Sequence, residues 1–83
     1  MELKLNINNF VNNVIKTKYS DSTIEKVSDQ QYKIYGLTEQ NLIDEGFEFT
    51  EYDLTGYIPT YKYNNLFAGF IGDVVYLLES TSI

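Results

Sequence analysis

The stretch LFAGFIGDVVYLLE, residues 66–79, decides the fold. It reads as two apolar runs, Leu66–Ile71 and Val74–Glu79, divided by Gly72-Asp73. Successive residues of a strand point to opposite faces, so runs this apolar carry hydrophobic side chains on both faces, as central strands do. Gly72-Asp73 suits a tight two-residue hairpin turn between them. The longest apolar run, residues 66–78, has thirteen residues and contains Asp73. A membrane-spanning helix needs about 20 apolar residues, so no membrane is expected as a partner.

Working outward, YIPTYKY (57–63) places Tyr57, Pro59, Tyr61 and Tyr63 on one face of a third strand, and Asn64-Asn65 supplies its hairpin turn. The C-terminal half is thus a three-stranded antiparallel meander. Pro59 cannot donate a ladder hydrogen bond, which predicts an edge strand or a bulge there. Upstream, FEFTEYD (47–53) alternates, with Phe47 and Phe49 directed to the core and Glu48 and Thr50 away from it, and DLTG (53–56) reads as a turn. TIEKVS and QYKIYGL form a hairpin, with Ile24 and Val27 partly buried and Tyr32 and Ile34 inward.

Two helices complete the set. Ile7, Phe10, Val11, Val14 and Ile15 share one helical stripe, which predicts a helix over about 7–18. Asn6 or Asn8 can cap it, and Lys16 and Lys18 suit the dipole at its C-terminal end. The alternation of Met1, Leu3, Leu5 and Ile7 allows a short strand before it. Thr38 reads as the N-cap of a second helix of about two turns, with Leu37 and Leu42 as a hydrophobic staple, Leu42 and Ile43 inward, and Gly46 as its stop. The expected fold class is α+β: one main N-terminal helix and a short second helix packed on an antiparallel sheet of about five strands.

Eighty-three residues make one domain, 1–83, near the small end of what one core sustains. There is no Cys to staple it, which fits a reducing compartment; MELKLNINNF lacks the continuous apolar segment of a secretory leader, so a cytoplasmic location is expected. Without His, Cys or Arg, every Ser-His, Cys-His or zinc arrangement is excluded. Two carboxylates could divide acid and base roles, but such a hydrolase needs a substrate cleft for which 83 residues leave little room. No constellation singles out a Lys or Tyr as a base, so no enzyme, catalytic residue or cofactor is expected. DEGFEFTEYD offers oxygen ligands, but Gly46, Glu48 and Thr50 follow Asp44 at alternate positions and the sixth place is not Gly, so the calcium-loop spacing fails and no metal site is expected. The lysines are few and dispersed, which disfavours direct binding of nucleic acid.

The informative surface is TEQNLIDEGFEFTEYD, residues 38–53. It holds six carboxylates, Glu39, Asp44, Glu45, Glu48, Glu51 and Asp53, and no lysine. The rest of the chain has six acids and six lysines, so the whole net charge of −6 sits in this one stretch. Aromatics are interleaved with it, including Tyr52. Such a face attracts a basic surface, with aromatics supplying contact area and charges steering the encounter.

In size, charge and single-domain α+β character the chain resembles small acidic phage proteins that antagonise bacterial defence: anti-CRISPR proteins, anti-restriction proteins and DNA-mimicking inhibitors of repair enzymes. The resemblance is one of profile and carries over no residue. It implies a DNA-mimic inhibitor or regulator of a basic nucleic-acid-handling protein of the host, such as a CRISPR effector or nuclease. The expected binding residues are Glu39, Asp44, Glu45, Glu48, Glu51, Tyr52 and Asp53. The alternative is a structural module that self-associates, as a homodimer, through the Tyr57/Tyr61/Tyr63 face or an exposed strand edge.

Overall fold

The computed structural model describes residues 5–52, 56 and 58–80. Six strands form one sheet: β1 Thr23–Ser28, β2 Gln31–Tyr35, β3 Glu48–Tyr52, β4 Pro59–Tyr63, β5 Leu66–Ile71 and β6 Val74–Glu79. Their spatial order is β1-β2-β6-β5-β4-β3, and every pairing is antiparallel. The two strands read from the opening stretch are therefore the middle pair. Gly72 and Asn64 hold φ of 61° and 56° in the two hairpin turns that flank β5, the left-handed conformation such turns require. The meander expected from the C-terminal half is present and extends by one more strand, β3.

The main helix, α1, covers residues 7–18: α-helical at Ile7–Phe10 and Lys16–Lys18, with a wider π-helical stretch at Val11–Ile15. Of the two candidate caps it is Asn6 that serves, accepting a hydrogen bond from the Asn9 N–H at 3.1 Å. Its first turn contains no acid; instead the Glu79 carboxylate of β6 accepts from the Ile7 N–H at 2.7 Å, placing an anion where the helix dipole favours one. The short helix α2, Glu39–Asp44, begins with a complete capping box: Thr38 Oγ1 accepts from the Asn41 N–H (3.1 Å) and Asn41 Oδ1 accepts from the Thr38 N–H (2.9 Å). It ends in a Schellman motif around Gly46 at φ 108°, with Phe47 N–H donating to the Leu42 carbonyl and Gly46 N–H to that of Ile43, both at 3.0 Å.

The core lies between α1 and one face of the sheet. Ile7, Phe10, Val11 and Ile15 pack there with Tyr32, Ile34, Tyr61, Leu66, Ala68, Val75 and Leu77, and α2 closes the end with Leu42 and Phe47. Phe10, Phe47 and Tyr63 form an aromatic triangle with ring centroids 5.4 to 6.3 Å apart. No helix among the described residues is long and apolar enough to cross a membrane.

Five sequence expectations need correction. The sheet has six strands rather than about five. β4 is an interior strand between β5 and β3; Pro59 fits because it is the strand's first residue, and the bulge lies opposite, on β3 between Phe49 and Glu51. Val27 is exposed at a second bulge, on the edge strand β1. Ile43 is exposed because α2 turns a single stripe inward and Leu42 occupies it. Phe49 lies on the core side of the sheet by register, yet it is 50% exposed because β3 is the sheet's edge. The strand suggested by Met1 and Leu3 and the DLTG turn, apart from Gly56, lie outside the described residues.

Candidate functional site

The acid-rich stretch folds into α2, the Gly46 stop and the edge strand β3, and these elements divide its carboxylates into distinct settings. Glu45 caps the C-terminus of α2 and is consumed by structure. Its carboxylate takes Lys18 Nζ at 3.1 and 3.3 Å and the Tyr19 hydroxyl at 2.8 Å, leaving its side chain only 9% exposed. Burial pushes the Tyr19 phenol up to about 12, helped by the hydrogen bond to Glu45 and the charges of Glu45 and Asp44. Glu45 thus ties α2 to the end of α1, and its charge is already matched.

The remaining acids are more available. Asp44 is exposed and accepts the i,i+4 hydrogen bond of Gln40, at 2.9 Å. Glu39 is exposed at the start of α2 and accepts a hydrogen bond from the buried Tyr61 hydroxyl. Burial, then this bond and the Glu39 charge, push the Tyr61 phenol up to about 12. Glu48 is exposed on β3 opposite Lys62 of β4, and Glu51 is exposed after the bulge, opposite Thr60. Among the described residues Glu39, Asp44, Glu48 and Glu51 enter no ion pair; the pairs present are Lys18–Glu45 and Lys26–Asp29. Asp53 lies outside the described residues. The register also separates the set: Glu48 and Glu51 belong to the sheet face away from α1, whereas Glu39 and Asp44 are carried by α2 on the helix side.

β3 gives this region its character. Among the described residues it is the outermost strand, with no strand paired on its other side, and all five of its residues are exposed. Tyr52 is 57% exposed and stacks edge-to-face on Phe49 at 5.3 Å; Phe49 meets Tyr61 in the same way at 5.7 Å, and Tyr61 meets Phe70 at 6.0 Å. A ladder of four rings therefore runs from the core to the edge, two of them largely in solvent. Beside it an open groove is lined by Gly46, Glu48, Phe49, Thr50, Lys62, Tyr63 and Asn64. Among the described residues no three acids converge as metal ligands would.

On β3, Phe49 is the residue that sequence reasoning assigned to the core and that the structure bares. Period-2 alternation specifies the side of a sheet on which a residue lies, but whether anything covers that position depends on strand order. The alternative tyrosine face fares differently: Tyr61 is buried and Tyr63 packs on Phe10 and Phe47, so this face is core lining, and Tyr57 lies outside the described residues.

Comparison of the chain with protein-family models, with curated proteins and with solved structures returns no match to any of them.

Proposed function

We propose that the chain is a non-enzymatic binding module that docks on a basic nucleic-acid-handling protein of the host and inhibits or regulates it. The observation that supports this reading best is the edge strand β3. Its unpaired backbone, the bared Phe49–Tyr52 pair and the carboxylates Glu48 and Glu51 form one continuous rim, with Glu39 and Asp44 on the adjoining helix. An unpaired edge can accept a strand of another protein by main-chain hydrogen bonding. Exposed aromatics anchor such contacts, and carboxylates pair with the Lys and Arg that otherwise hold phosphates. The nucleic acid would be excluded by occupancy, in the manner of a DNA mimic such as an anti-CRISPR protein.

The test uses the protein as bait on host lysate at low and raised salt, followed by competition of each captured protein with its nucleic acid. Replacing Glu48, Glu51 and Asp53 together with Gln, Gln and Asn should abolish capture of the basic partner, and raised salt should weaken the parent interaction. Capture by the triple variant that equals the parent's at both salt concentrations would refute the electrostatic mechanism. Phe49→Ala should also reduce capture while leaving its salt dependence unchanged, since it removes contact area and no charge.

A further inference from the structure

Two residues three apart in a regular strand point to opposite faces of its sheet. Phe49 and Tyr52 do not. The bulge between Phe49 and Glu51 inserts Thr50, so Phe49 opposes Tyr61 and Tyr52 opposes Pro59, both positions on the side of α1. The two rings meet at 67° with centroids 5.3 Å apart, which makes an open corner at the outer end of the aromatic ladder. Both are at least half exposed.

The next ring inward, Tyr61, donates its hydroxyl hydrogen bond to Glu39 at the start of α2. Burial, then Glu39, then the charge of Tyr52 raise the Tyr61 phenol to about 12. It therefore stays a donor at neutral pH and fixes the exposed Glu39 carboxylate as an acceptor, with Tyr52 within electrostatic reach of the same group.

We propose that Phe49, Tyr52 and Glu39 form the seat of an arginine side chain of the partner. The inference rests on the reading of β3 as the docking rim and names the group that this rim takes. Charge is the first argument. A carboxylate beside two ring faces attracts a cation both by its own charge and through the ring quadrupoles. The chain's own cations are placed elsewhere. Lys18 is held by Glu45 and Lys26 by Asp29. Lys33 Nζ and Lys62 Nζ lie 5.5 and 5.6 Å from the ring centroids of Tyr76 and Phe67, on the sheet face away from α1. Among the described residues no ammonium covers Phe49 or Tyr52, and Glu39 enters no ion pair.

Shape is the second argument. A guanidinium is planar, so it can lie flat on one ring while its edge N–H groups donate to the carboxylate, and it sheds water more readily than an ammonium. The chain contains no Arg, so the occupant comes from another protein and not from a second copy. The seat lies on the side of β3 opposite Glu48 and Glu51, which lets the rim hold a basic partner from both sides of the strand.

NMR titration of the pure chain with N-acetyl-arginine amide, from about 1 mM to about 100 mM at constant ionic strength, tests this. The Phe49 and Tyr52 ring resonances should shift and saturate. N-acetyl-citrulline amide, similar in shape but uncharged, should leave them in place, and N-acetyl-lysine amide should bind at least about threefold more weakly. Glu39→Gln keeps an acceptor for Tyr61 but removes the charge, and should raise the dissociation constant about threefold to tenfold. Tyr52→Leu should raise it about twofold to fivefold. Replacing Glu48 and Glu51 with Gln should change it less than about twofold. Backbone amide dispersion confirms that each variant is folded. The proposal is overturned by the absence of a saturable shift, by citrulline or lysine amides that bind as well as the arginine amide, or by indifference to Glu39→Gln. Lysate capture separates the seat from the docking reading. Capture that is lost without Glu48 and Glu51 yet indifferent to Glu39→Gln and Tyr52→Leu keeps the docking reading and overturns the seat. Saturable arginine binding with no basic protein captured upholds the seat and overturns the docking reading.

Discussion

Asn65 is the side chain whose removal should damage this fold most for its size. It lies in the β4–β5 turn, 2% exposed, the buried polar residue among the described ones. Its Oδ1 accepts from the Leu5 N–H at 2.7 Å and its Nδ2 donates to the Leu5 carbonyl at 2.9 Å, so one amide side chain imitates a paired strand for the segment entering α1. Asn65→Ala deletes both bonds. Each contributes about 1 kcal/mol net, and a Leu5 amide or carbonyl left dry adds to the cost. Leu5 is half-buried, so water recovers part of that loss, and the expected destabilisation is about 2–3 kcal/mol. A chain of this length has about 4–12 kcal/mol in total. Urea unfolding, with a slope of about 1 kcal/mol/M for a small protein, should show the midpoint falling by about 2–3 M with the slope unchanged. Asn65→Asp should be at least as harmful, since it keeps the acceptor but sets an anion against the Leu5 carbonyl. A loss below about 0.5 kcal/mol for Asn65→Ala would refute the view that this amide holds the N-terminal segment, because that is the range of an ordinary surface substitution.

Two further outcomes follow from local geometry. Gly46→Ala should cost about 1–2 kcal/mol in the same assay, since φ there is 108° and a Cβ would lie 3.1 Å from Tyr63 Cε1; Gly72→Asn, at φ 61° with open space around it, should cost less than about 0.5 kcal/mol. Absorbance titration at alkaline pH should find Tyr19 and Tyr61 still protonated where a free tyrosine has ionised. Both phenols are pushed up from 10.0 to about 12, so between those values the unfolded chain has released protons that the fold retains. Stability is therefore full below pH 10 and declines towards 12, and Tyr61→Phe should flatten the decline.

Features governed by neighbours in sequence were legible before the structure. The Thr38 cap, the Gly46 stop, the Asn64 and Gly72 turns and the α1 stripe each need only a few consecutive residues to specify them, and each is present. Features that depend on strand order were not. Phe49 keeps its expected side of the sheet and Val27 was expected to be partly buried, yet both are exposed because they lie on the two edge strands. The acidic surface divides in the same way. Its localisation was visible as charge in residues 38–53, but the capture of Glu45 by Lys18 and Tyr19, more than twenty residues away, is a tertiary event that no spacing announces. The two-faced apolarity of β5 and β6 was legible and correctly placed them at the centre; which face would remain bare was not.

The anchoring of α1 also orders events in time. Its first free N–H is satisfied by Glu79, 72 residues further along the chain, and its entering segment by Asn65, 60 residues beyond Leu5. The helix leaves the ribosome before the sheet, yet the groups that fasten it are synthesised 60 and 72 residues later. β2 is likewise completed by β6, across the whole intervening meander. Contacts so distant in sequence can form only after long loops have closed, which slows folding relative to a chain of local contacts. During that interval the apolar stripe of Ile7, Phe10, Val11 and Ile15 has no sheet to cover, and a nascent chain in this condition is a natural client for chaperones.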